Sequence, residues 1–200
     1  MTDWDARYDR PDYLFGEEPN AFLKSQLHRI KLHKNALAVA DGEGRNGVWL
    51  AQQGLSVTSI DASSVALRKA EDLAARREVS ITTRLVDMND FQWPAAAYDL
   101  VVAIFIQFAD PQLRDDMFAG MIRTLAPGGT LLMQGYRREQ LAYGTGGPRD
   151  ADHLYTEEML RDAFDSLEIV ELNSYDAEIR EGPAHDGMSA LIDLVARKPE

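Results

Sequence analysis

The chain has 200 residues, no cysteine and a formal net charge of −12 at pH 7. That length suits one domain with a full core, and the lack of cysteine excludes disulfides, thiol catalysis and cysteine metal sites and points to a cytoplasmic location. The acidic balance disfavours a nucleic-acid partner, no apolar run approaches the roughly 20 residues of a membrane span, and MTDWDARYDRPD lacks the basic-then-apolar pattern of a secretory signal.

Trp4, Arg7 and Tyr8 are spaced i, i+3, i+4, so they share one face of a helical turn. Tyr13, Phe15 and Gly16 follow. So many rings ahead of the first core element need something to cover, either the sheet edge or a bound ligand. Residues 1–16 are therefore a candidate N-terminal lid. Residues 19–30 read as one amphipathic helix with Phe22, Leu23, Leu27 and Ile30 inward and Pro19 in its first turn.

Residues 36–40 are a short apolar run of strand length. Asp41-Gly42-Glu43-Gly44 follows, and a helix begins near Arg45 with Val48, Trp49 and Leu50 inward. Glycines in a strand-to-helix turn let the backbone bend and approach a ligand closely. The helix start adds unpaired N–H groups and the positive end of its dipole. Together these begin a nucleotide-type site.

Residues 56–60 form a second strand ended by Asp61, and a helix spans 64–77. Residues 81–86 form a third strand ended by Asp87. Residues 100–106 are continuously apolar, as in a strand buried on both faces. A helix over 111–125, the turn Pro127-Gly128-Gly129 and a strand over 130–135 come next. Residues 143–155 form a long glycine-containing loop, expected on the substrate side. A helix over 156–164 and two strands near 167–177 and 188–196 close the chain as an antiparallel hairpin. The spacing predicts an α/β fold of a single domain: a doubly wound, Rossmann-like sheet of seven strands, mostly parallel, with an antiparallel last strand.

In such a sheet ligands bind beyond the C-terminal strand ends, where Asp41, Asp61 and Asp87 stand. Asp61 lies about 20 residues after the glycine turn, the place of an acid that accepts ribose hydroxyls. Asp87 is placed to meet an adenine amino group, with Met88 against the ring. Trp4, Tyr8 and Phe105 are candidate aromatic walls for a cation. His153 and His185 are the candidate bases, and Tyr136, Arg137 and Arg138 stand at the same rim.

Four segments, ALAVADGEGRNG, SVTSIDAS, RLVDMNDF and LAPGGTLLMQGY after DLVVAIFIQF, together resemble the class I S-adenosylmethionine-dependent methyltransferases over almost the whole chain. WDARYD and GEGRN resemble the small bacterial tellurite-resistance and thiopurine methyltransferases within that class. The resemblance implies methyl transfer from S-adenosyl-L-methionine to a small-molecule acceptor by a monomer or homodimer, with no metal. It implies a cofactor site of Asp41, Gly42, Gly44, Asn46, Asp61, Ala62, Asp87, Met88, Ile104, Trp4 and Tyr8, with His185 and Tyr136 as catalytic candidates. The family's usual acid before the first glycine is absent, since Ala38 and Ala40 stand there; Asp41 is expected to share in holding the methionine ammonium. Gln107 stands where some relatives carry a histidine. A nicotinamide-dependent Rossmann oxidoreductase shares the glycine turn and Asp61, although the Pro127-Gly128-Gly129 turn and closing hairpin weigh against it. A non-catalytic S-adenosylmethionine-binding module is the third reading.

Overall fold

In a computed structural model, which describes residues 3–200, the elements in chain order are α1 (Trp4–Tyr8), α2 (Ala21–Ser25), α3 (Leu27–Ile30), β1 (Asn35–Val39), α4 (Arg45–Gln52), β2 (Ser56–Asp61), α5 (Ser64–Arg76), β3 (Thr82–Leu85), β4 (Tyr98–Ile104), α6 (Pro111–Thr124), β5 (Leu125–Tyr136), α7 (Gln140–Tyr143), α8 (Glu157–Ala163), β6 (Glu168–Arg180) and β7 (Asp186–Arg197). Residues 1 and 2 of the expected N-terminal lid lie outside the described residues.

The strands make one seven-stranded sheet in the order β3-β2-β1-β4-β5-β7-β6. β1 to β5 pair in parallel, and β7 runs antiparallel to both β5 and β6. The expected fold class is borne out, including the antiparallel last strand. That strand lies inside the sheet, and β6 takes the edge.

Alternation along the central strands feeds two cores, because successive side chains point to opposite faces. Leu37 and Val39 of β1 and Val101 and Ala103 of β4 meet Met117, Phe118 and Met121 of α6 and Leu160 of α8. Ala36 and Ala38 with Leu100, Val102 and Ile104 meet Phe22 and Leu23 of α2, Ile30 of α3 and Leu50 of α4. Both faces are covered, which is why 100–104 reads as an unbroken apolar run.

Several elements differ from the sequence expectation, among them residues 19–30, β5 and the long loop. Residues 19–30 form two short helices. Asn20 starts the first by accepting from the Leu23 N–H, and the Gln26 N–H closes back on Leu23 and Lys24. β5 begins at Leu125, which pairs with Tyr98 ahead of a bulge that absorbs the Pro127-Gly128-Gly129 turn. The long loop contains a 3-10 turn at Ala151–His153, and Tyr155 bridges to Arg137.

Chain order runs outward from β1 to β2 and β3, then crosses to β4 on the other side. The switch point therefore lies between β1 and β4. Both strands are followed directly by a non-glycine residue at positive φ, Ala40 (48°) and Phe105 (55°). Such residues are uncommon and strained; here they turn the chain outward at the switch point.

Two contacts at this point lead to tests. Gly44 has φ 83°, and a Cβ there would lie 2.5 Å from the Ala70 Cβ on α5. Gly44→Ala is expected to destabilise the protein by about 1–3 kcal/mol, measured by urea unfolding. The Asp41 carboxylate accepts from the Gly47 N–H (3.1 Å) and from Ser59 Oγ (2.9 Å). Burial pushes its pKa up to about 7 despite those bonds. A carboxyl that holds its proton more tightly when folded stabilises fully below the unfolded value near 4, and that contribution fades as pH rises through about 7. Asp41→Asn keeps an acceptor for both donors and removes the charge. Its stability relative to the parent is expected to improve by about 3–4 kcal/mol between pH 4 and pH 8; a pH-independent difference in urea titrations would contradict this.

Candidate functional site

A cavity open to solvent lies beyond the C-terminal ends of β1 and β4. Its place is where open α/β sheets bind ligands. The glycine turn forms its floor.

Asp61 holds that turn. One carboxylate oxygen accepts from the Gly42 N–H (2.8 Å) and the other from the Ser63 N–H (2.9 Å). Burial raises the pKa of Asp61, opposed by these bonds. Each oxygen can accept a second bond, and Asp61 lines the cavity. Gly42 has φ 57°, and a Cβ there would lie 2.7 Å from the Tyr8 hydroxyl. Only glycine lets the turn and Tyr8 approach this closely.

At the start of α4, Asn46 accepts from the Asn20 N–H at 3.0 Å. Beside it Arg45 forms a buried ion pair with Glu181 at 2.7 Å. Arg45 Nη1 is buried without a hydrogen-bond partner, and Arg45 lines the cavity. An anion there would satisfy that donor. Glu181 also accepts from Asn20 Nδ2 at 3.0 Å. Asn20 Nδ2 reaches Gln134 Oε1 at 2.6 Å, and Gln134 Nε2 reaches Asp193 at 2.6 Å. A polar chain thus runs from the cavity into the sheet.

The N-terminal segment forms the opposite wall. Asp5 caps α5, accepting from Ser63 Oγ (2.6 Å) and the Val65 N–H (3.2 Å). Lys69 donates to the carbonyls of Tyr8, Arg10 and Asp12 and pairs with Glu43. Glu43 also accepts from the Leu14 N–H at 2.7 Å. These bonds place Trp4 and Tyr8, stacked 5.8 Å apart, over the turn.

A run of rings closes the far side. Phe108 packs on Trp4, Tyr8 on Phe15, and His185 lies 4.6 Å from Phe15 and 4.4 Å from Phe105. His185 is 7% exposed, and its Nδ1 has no partner. Burial, with Arg45 and Arg7 nearby, lowers its pKa to about 3. It is neutral throughout the physiological range.

The structure brings Asp41, Gly42, Asn46, Asp61, Ala62, Met88, Ile104, Trp4, Tyr8 and His185 to this cavity. Four of the expected residues sit differently. Asp41 lines it, but its carboxylate is engaged by Gly47 and Ser59. Gly44 serves packing against Ala70. Asp87 is exposed, accepts from Asn89 at 2.9 Å, and is not in the lining. Tyr136 belongs to an adjoining cavity; burial raises its pKa far above neutrality. Gln107 brackets Tyr136, accepting from its N–H and donating to its carbonyl. Arg137 is committed to Asp176 and Glu139. Phe15, Glu43, Arg45 and Phe108 line the cavity without having been singled out. Glu43 and Arg45 stand in the GEGRN motif, Phe108 ends the DLVVAIFIQF segment, and Phe15 is one of the rings of the N-terminal segment. No group of three or more potential metal-binding His, Asp or Glu side chains occurs among the described residues, and no helix among them is long and apolar enough to cross a membrane.

Residues 36–129 match the methyltransferase domain family. The chain is 23% identical over 155 residues to a 2-heptyl-1-hydroxyquinolin-4(1H)-one methyltransferase of Mycobacteroides abscessus, covering 76% of this chain and 66% of that protein. It is similar in fold to the N-methyltransferase NodS of Bradyrhizobium japonicum WM9 in complex with S-adenosyl-L-homocysteine, with TM-score 0.72 and 21% identity over 98% of this chain and 97% of that one. It is also similar to TehB of Haemophilus influenzae, with TM-score 0.71 and 19% identity over 88% and 62%. Residues 36–129 thus match a methyltransferase domain, and the seven-stranded sheet with its cavity at the switch point is similar in fold to these solved methyltransferases.

Proposed function

We propose that the protein transfers the methyl group of S-adenosyl-L-methionine to a small-molecule acceptor that enters through the cavity beside the ring-lined wall. The observation that carries this reading is the cavity's polarity. One end holds the unpartnered Arg45 Nη1 and the Asp61 carboxylate. The other is a wall of aromatic rings. The cofactor has a carboxylate and ribose hydroxyls at some atoms and a sulfonium cation at another, and cations are favoured over ring faces.

Arg45 Nη1 would receive the carboxylate, and Asp61 the ribose hydroxyls through its free lone pairs. Met88, Ala62 and Ile104 supply apolar surface for the adenine. When bound, S-adenosylmethionine would supply a methyl carbon to which the acceptor's lone pair bonds while sulfur keeps the electrons of the broken bond. The chain's own work is positioning and the exclusion of water. Residues 3–16 cover the site through the Lys69, Asp5 and Glu43 contacts. His185, being so hard to protonate, is not a proton store. His153, the other candidate base, lines the adjoining cavity with its Nδ1 3.2 Å from the Gln107 carbonyl.

Calorimetry with S-adenosylhomocysteine and with NAD tests the cofactor, and methyl release in an acceptor screen tests the reaction. Binding of NAD in preference would overturn the reading. Asp61→Ala is expected to weaken S-adenosylhomocysteine binding by about 1.5–3 kcal/mol. Arg45→Lys keeps a charge beside Glu181 but gives up the free Nη1. It is expected to weaken S-adenosylhomocysteine about tenfold, or about 1.4 kcal/mol, and to leave 5′-methylthioadenosine, which has no carboxylate, unchanged. Equal losses for both ligands would remove Arg45 from the carboxylate's site.

A further inference from the structure

A second cavity adjoins the first and shares Trp4, Phe15, Phe105, Phe108 and His185 with it. The shared side chains are the partition between the two. Whatever fills the second cavity therefore meets the aromatic end of the first, where the reacting methyl would lie. Resting on the proposed function above, we infer that the acceptor is a flat, uncharged aromatic compound whose polar group hydrogen-bonds beside Tyr136 and His185.

Four observations support this. The walls are mostly rings, those of the partition together with Tyr136, and Phe105 and Tyr136 lie only 4.6 Å apart at an interplanar angle of 30°. Rings packed like this favour a planar guest that can stack or meet an edge. The lining contains no Asp or Glu. An ammonium-bearing acceptor would have no counter-charge there, and an unpaired charge out of water is strongly disfavoured. Its one formal cation is Arg7, whose guanidinium sits 4.8 Å over the Trp4 ring. Arg7 is exposed, so it offers a carboxylate or phosphate only a solvated partner at the rim. Arg137, which also stands near the end of β5, is ion-paired and does not line the cavity.

Specificity comes from two polar atoms. The Tyr136 hydroxyl and His185 Nδ1 are both buried and lack a hydrogen-bond partner, and both residues line this cavity. Buried polar groups are nearly always paired, so each orphan asks for a ligand. The tyrosine keeps its proton and the histidine stays neutral. The pair therefore suits an uncharged hydroxyl, carbonyl or ring nitrogen. The backbone of Gly146 and Gly147 lies over them. A Cβ at Gly146 would come within 2.9 Å of the Tyr136 hydroxyl, and one at Gly147 within 2.7 Å of its ring. The glycine loop thus covers the same two side chains that the acceptor would contact.

The test is calorimetric, on the full chain with and without S-adenosylhomocysteine. The probes are 2-naphthol, 2-naphthoic acid, 2-naphthylmethylamine and saturated decahydro-2-naphthol. The expected result is that 2-naphthol binds at least tenfold tighter than each of the others. Tyr136→Phe should reduce 2-naphthol affinity about tenfold with S-adenosylhomocysteine affinity unchanged. Phe108→Ala, a second variant, should weaken 2-naphthol more than decahydro-2-naphthol. Preference for the acid, the amine or the saturated alcohol would overturn the inference. So would 2-naphthol affinity that both variants leave untouched. If the parent chain binds 2-naphthol selectively but not S-adenosylhomocysteine, the cofactor reading fails and the aromatic site stands. The reverse pattern fails the aromatic site alone.

Discussion

Two carboxylates at neighbouring strand ends hold the glycine turn from opposite sides. Asp61 grips the Gly42 N–H from the end of β2, and Asp41 grips the Gly47 N–H and Ser59 from the end of β1. Burial raises the pKa of both, and the directed hydrogen bonds offset only part of that desolvation. The turn cannot shift without breaking these bonds, and the first turn of α4 is fastened to it. Arg45 and Asn46 are in place at the cavity because the backbone beneath them is pinned.

Distant parts of the chain converge on that turn. The N-terminal segment reaches it through Glu43 and Lys69, and the β6–β7 hairpin reaches it through the Glu181–Arg45 pair. A buried ion pair contributes little net stability by itself, but removing one partner strands the other's charge. Here the pair is extended by Asn20, Gln134 and Asp193. The consequence is geometric: the hairpin that carries His185 is fixed relative to the helix that carries Arg45. The two ends of the ligand space are therefore held in one register, although they are far apart in sequence.

The sheet was legible because its signals are local. Continuous apolar runs, helical spacing and the glycine turn each report on their own segment. The same locality explains what was misread. Pro19 suggested one helix over 19–30, but the Asn20 side chain supplied the start and tertiary bonds broke the helix at Gln26. Asp87 stood at a strand end like Asp61, yet its carboxylate turned to Asn89 two residues on, as Asp side chains in turns do. Asp61 differs because Gly42, brought alongside by strand pairing, offers it a donor. Glu43, Glu181 and Phe108 act through partners that only the folded chain supplies. The rings of the N-terminal segment announced a cover. That they are fastened by a lysine on α5 could not be read from spacing.

The same packing decides the electrostatics of the ring-lined end. A sulfonium brought there is a cation entering a poorly hydrated wall. A protonated imidazole beside it would repel it, and burial among Phe15, Phe105 and Tyr136 already disfavours that protonated form. Neutral His185 and the ring faces instead present electron density to the cation. Were S-adenosylmethionine bound, it would supply the methyl group from a positively charged sulfur, and His185 would stay neutral throughout. The acceptor's nucleophilicity must then come from its own lone pair and from desolvation. That suits a cavity whose unpartnered polar atoms, the Tyr136 hydroxyl and His185 Nδ1, belong to uncharged side chains.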